Sequence, residues 1–107
     1  MRLRCVFFAA ACFPAAAFAQ QDMIVMMKAS ELGSVLASEE ICGLKYHQPA
    51  IEEWIADNVP ADAISFASTL DMSVMGGKYG YKDQTESERT AHCAAITRTA
   101  KHFGFID

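Results

Sequence analysis

The sequence has little of what usually announces chemistry. Gly76-Gly77-Lys78-Tyr79-Gly80-Tyr81 lacks the Walker spacing and follows no strand pattern, so it is no phosphate loop. No serine sits in a nucleophile elbow. Neither Cys-x-x-Cys nor Cys-x-x-Cys-His occurs, which removes the usual redox pair and the haem-attachment motif. Basic residues number nine against thirteen acidic ones, with no basic patch interleaved with aromatics. Such a surface repels phosphate backbones, and nucleic acid is excluded as a partner. No internal repeat, low-complexity tract or linker appears, and 107 residues leave room for one small domain. Clear period-two alternation is also missing; the one weak strand candidate is Met23 to Met27.

What is present begins with an apolar N-terminus. Arg2 and Arg4 precede the apolar run Cys5 to Phe13, Pro14 breaks it, and Ala17-Phe18-Ala19 puts small residues before Gln20. Those parts predict a secretory signal peptide over residues 1–19, cut before Gln20. The run is about half the roughly 20 residues a membrane span needs. Ala9-Ala10-Ala11-Cys12 also leaves a lipid anchor on Cys12 open. Residues 20–107 then form the mature domain, placed in the periplasm or secreted, with no further run apolar enough to span a bilayer. Seven basic residues remain there against all thirteen acidic ones, a balance of −6.

Cys42 and Cys93 are the cysteines that survive such cleavage, and an even count in a small exported domain reads as a disulfide. Closing a loop of about 50 residues stabilises by about 4 kcal/mol on the chain-entropy estimate.

The remaining pattern is helical. Ser30 to Glu40 carries Leu32, Val35 and Leu36 on one face, with Ser30 as cap and Gly33 as a weak point. Gly43 interrupts it, and Pro49 suits the first turn of a helix that runs to Asn58, with Ile51, Trp54 and Ile55 on its apolar face. A third helix is expected from Pro60, striped by Ala63, Phe66, Ala67, Leu70 and Val74 and ended by Gly76-Gly77. A loop from Gly76 to Asp83 follows, carrying Tyr79 and Tyr81. Thr85-Glu86-Ser87-Glu88 matches a capping box for a last helix that reaches Phe103. Gly104 terminates it, with Phe105 folding back as in a Schellman turn. The fold class is therefore all-α, a small bundle of three to four helices with one long-range disulfide.

Few residues invite a chemical role. Cys42, His47, His92 and Cys93 are zinc-ligand types, but His92 and Cys93 are adjacent and a disulfide consumes both thiolates. Met23-x-x-Met26 and Met72-x-x-Met75 are spaced for one helix face and are of the type that holds Cu(I), although methionine more often fills core gaps and apolar surfaces. Glu52 and Glu53 read as a solvated face, Trp54 as a core anchor, and His102 as a cation suited to a helix C-terminus. No catalytic residue, metal ligand or cofactor site is expected. Tyr46, Tyr79 and Tyr81 fall in loops and are the expected partner-binding residues.

In layout the chain resembles the small acid-stress chaperones of the bacterial periplasm: exported, helical and closed by one long-range disulfide. The resemblance is architectural and covers most of the mature chain, so it implies a mode of action and assigns no residue. In acid the thirteen carboxylates would be neutralised while ten basic and histidine side chains stay charged, a swing from −6 toward +10. The expected function is thus non-enzymatic, binding an unknown protein or envelope component, with acid-stress chaperoning and copper binding through the methionine pairs as alternatives.

Overall fold

A computed structural model describes residues 13–107, with side chains from Gln21 onward. The leader expected over residues 1–19 and the alternative anchor at Cys12 lie outside those described side chains. Four helices follow in order: α1 (Phe13–Ala37), α2 (Gln48–Asn58), α3 (Phe66–Tyr81) and α4 (Glu86–His102). No strand occurs among the described residues. Met23 to Met27 is helical, correcting the strand reading, because Val25, Ala29 and Leu32 fall on one buried face at helical spacing. None of the described helices is long and apolar enough to cross a membrane.

Chain ends of the helices are set by local chemistry. After α1 the chain stays coiled to Cys42, whose N–H bonds to the Ser38 carbonyl. Gly43 then takes φ +64, and the Gly43 and Leu44 N–H groups donate to the Glu40 and Glu39 carbonyls. The same pair of bonds closes α4: Gly104 at φ +78 donates to Lys101, and Phe105 donates to Ala100. These are Schellman motifs, in which glycine supplies the left-handed backbone without a Cβ clash. Phe105 and Ala100 are both fully buried, which is the apolar contact the motif favours. At the start of α4 the Thr85 hydroxyl oxygen accepts from the Glu88 N–H at 3.2 Å. The Glu88 carboxylate accepts from the Thr85 hydroxyl, where a full capping box would use the Thr85 N–H. Pro49 sits in the first turn of α2, as its missing N–H permits.

Several boundaries depart from expectation. The first helix begins at Phe13 rather than Ser30 and ends at Ala37 rather than Glu40. Ser30 thus lies in mid-helix and caps nothing, because the buried face of Val25, Ala29 and Leu32 continues through it. Pro60 to Ser65 forms short turns, with Ala63 bonded to Pro60 and Phe66 to Ala63, so α3 starts later than Pro60. It also runs straight through Gly76-Gly77 and Gly80 to Tyr81. The reason lies in packing: a Cβ on Gly77 would stand 2.8 Å from the Ala37 Cβ of α1. Gly33 of α1 is closer still, since a Cβ there would collide with the Ser73 Cβ of α3. Ala29, Gly33 and Ala37 therefore form a small-residue stripe on α1 that lets α3 approach backbone to backbone. Gly33 meets Ser73 and Gly77 meets Ala37, so the two helices run parallel.

The core gathers Val25, Ala29, Leu32 and Val35 of α1 with Tyr46, Trp54, Phe66, Ile96, Ala100 and Phe105. Trp54 fixes α2 by lying 5.5 Å from the Phe103 ring, with the Lys28 ammonium 5.8 Å above its face. The His47 N–H donates to the Phe105 carbonyl at 2.8 Å, which ties the entry of α2 to the segment after α4.

Candidate functional site

Cys42 and Cys93 form a disulfide with Cα atoms 5.4 Å apart, joining the coil after α1 to the middle of α4. Neither is free as a thiolate, so the zinc-type set they would share with His47 and His92 does not exist. One turn away the same two segments are joined again. The Ser38 hydroxyl donates to the Ser34 carbonyl at 2.7 Å and lies 2.8 Å from His92 Nε2. With its proton committed to Ser34, Ser38 Oγ accepts from a protonated Nε2, which fixes the tautomer by the network. A serine nucleophile needs the reverse, a histidine accepting its proton, together with access to substrate. Ser38 is fully buried. The pair is therefore a clasp between α1 and α4.

The three tyrosines do not share a surface. Tyr46 lies in the core, correcting its assignment to a partner-binding loop; its hydroxyl donates to the Val35 carbonyl at 2.8 Å and its ring sits 5.6 Å from Phe105. Its own N–H donates to the Glu39 carboxylate. Tyr79 belongs to α3 and is 81% exposed. Tyr81 ends α3, half-buried, with its ring 4.1 Å from that of His92. The loop predicted for Tyr79 and Tyr81 is helix, for the packing reason given by Gly77.

Burial, and then the nearby Glu39 carboxylate, push the Tyr46 hydroxyl up from 10.0 to about 12. Its neutral form is favoured in the folded state, so this contribution to stability is complete below pH 10 and lost as pH rises through about 12. Stability measured from pH 9 to 12 is expected to fall more steeply in the native sequence than in Tyr46→Phe. Equal slopes would show that the hydroxyl titrates alike in both states.

Of the two roles expected for the methionines, core filler and apolar surface, the described side chains take the second. Met23, Met26, Met27, Met72 and Met75 are between 58% and 73% exposed, so no methionine of the described side chains serves as core filler. Met72, Met75 and Tyr79 follow one another at i, i+3 and i+7 along the face of α3 opposite its contacts with α1. Met23, Ile24, Met26 and Met27 lie on the part of α1 that reaches the level of the α3 start and beyond. Ile64, in the turn before α3, is 93% exposed. The i, i+3, i+7 spacing was the available signal, because it is out of phase with the Phe66, Leu70, Val74 stripe that faces inward.

No family model matches the chain, and no curated protein or solved structure shows significant similarity to it.

Proposed function

We propose that this is an exported, non-enzymatic binding protein whose methionine-rich face takes up apolar segments of other polypeptides. The carrying observation is the exposure of Met23, Met26, Met27, Met72 and Met75, joined by Ile24, Ile64 and Tyr79. Methionine is unbranched, flexible and polarizable, so a surface built from it repacks around differently shaped apolar groups. The acid balance of the chain favours polypeptide over lipid, since anionic bilayer surfaces repel it. Action in the periplasm or outside the cell fits the basic-apolar-small N-terminus and the disulfide, a bond that persists in oxidising compartments. Acid-stress chaperoning is the narrower form of the same reading. The methionine face is already open in this structure, so client binding should be measurable at neutral pH and should need no acid unfolding.

The test is retention of a reduced, unfolded client in solution by the oxidised protein at pH 7 and at pH 3. Met72→Gln with Met75→Gln keeps length and flexibility but removes apolar surface at exposed positions, so the fold should survive. Losing two apolar anchors should weaken client binding about tenfold or more. Undiminished binding by the folded double variant would remove the methionine face from the mechanism.

A further inference from the structure

A second site is independent of the methionine face. The end of α1 and its following coil, the end of α3 and the start of α4 enclose a cleft of about 350 Å³, lined by Ala37, Glu40, Ile41, Lys78, Tyr81, Lys82 and Arg89. That volume suits a small organic ligand. Three of the seven basic residues after Gln20 converge on it, in a chain where acid side chains predominate. All three are exposed, and none forms an ion pair among the described residues, where the pairs are Lys28–Glu31 and His47–Asp107.

Helix dipoles account for only part of this cluster. Lys78 and Lys82 lie at the C-terminal end of α3, where cations are favoured. Arg89 is the fourth residue of α4, near the N-terminal end, where a cation is disfavoured. It nevertheless lines the same cleft as the two lysines, adding like charge to like charge. An anion held among the three removes that repulsion. Guanidinium offers paired donors in the geometry a phosphate accepts, and the ammonium groups add unspecific positive charge. The rest of the lining is not phosphate-like. Glu40 can only accept hydrogen bonds, which would repel a bare anion but suits the hydroxyl groups of a larger ligand. Tyr81 and Ile41 supply an apolar wall against which C–H surface can lie, with Ala37 buried behind them.

We infer that this cleft binds a phosphorylated polyol, of the sugar-phosphate class, with Lys78, Lys82 and Arg89 on the phosphate, Glu40 on hydroxyls and Tyr81 against the carbon face. The same group can arrive free in solution or as the headgroup of a lipid. Calorimetric titration of the oxidised full domain with glucose 6-phosphate, glucose and inorganic phosphate, alongside flotation with phosphatidylcholine vesicles with and without phosphatidylinositol 4-phosphate, separates these sources. Glucose 6-phosphate should bind more tightly than inorganic phosphate, glucose should not bind, and affinity should fall as salt rises. Capture by the phosphoinositide vesicles alone, lost in Arg89→Gln, would assign the cleft to the lipid-borne headgroup. Lys78→Gln with Arg89→Gln should cost tenfold or more in affinity, while Lys101→Gln, an exposed lysine outside the cleft, should leave it unchanged. Glu40→Gln should tighten inorganic phosphate and weaken the preference for glucose 6-phosphate. The inference fails if no probe binds, or if the Lys101 and Arg89 variants lose affinity equally, which would mean diffuse charge attraction. It fails equally if Glu40→Gln leaves the preference for glucose 6-phosphate intact.

Discussion

Gly33→Leu is expected to lower unfolding free energy by about 3 kcal/mol, near the top of what overpacking costs. Even the first carbon of a side chain at Gly33 collides with Ser73 Cβ and stands 3.3 Å from the backbone of Ser73 and Val74. Backbone cannot rotate aside as a side chain can, so α1 and α3 must separate along their whole shared face. The opposite sign is expected at Gly76. A Cβ there meets nothing within 4 Å, and its place inside α3 makes glycine the poorer helix former. Gly76→Ala should therefore stabilise by about 0.5–1 kcal/mol. Denaturant unfolding of the oxidised protein reads both. A neutral Gly33→Leu would mean that the close crossing of α1 and α3 does not exist in solution.

Removing the disulfide should have an effect of similar size. Cys42 and Cys93 are 51 residues apart, and closing such a loop restricts the unfolded chain by about 4 kcal/mol on the entropy estimate. Cys42→Ala with Cys93→Ala is expected to cost about 2–5 kcal/mol, enough to leave a small domain marginal. The Ser38–His92 clasp joins the same two segments, so a residual link survives in that variant. Adding His92→Ala should then cost more in the double-alanine background than in the disulfide-bonded protein. Equal costs in the two backgrounds would show that bond and clasp act independently. Mass spectrometry of non-reduced protein checks the premise, since two free thiols would void it.

The ends of α2 and α4 were legible because their causes are local. Thr85 and Glu88, Pro49, and Gly104 with Phe105 act within a turn of themselves, and the structure uses each nearly as the sequence implies. Gly76-Gly77 carried a local rule with two meanings. Glycine after an apolar stripe ends many helices, but it also permits close approach, and only Ala37, forty residues earlier, decides between them. Tyr46 failed for a similar reason. Its flanking residues look like a loop, while its burial comes from Val35, eleven residues earlier, and Phe105, fifty-nine residues later. The cleft was illegible altogether, since Glu40, Lys78 and Arg89 meet only through the parallel docking of α1 and α3 and the return of α4.

That parallel docking has a consequence for how the chain reaches its fold. In an up-and-down bundle, sequence neighbours are also packing neighbours, and contacts form early between residues close along the chain. Here α2 and the turns through Ser65 must carry the chain back to the starting end before α3 can lie beside α1. The close contacts of Gly33 with Ser73 and Ala37 with Gly77 each close a loop of forty residues. Loop entropy must be overcome before those contacts repay it. Among the described residues the fold is all helix, yet its closures are of the long-range kind that slows folding in mixed folds.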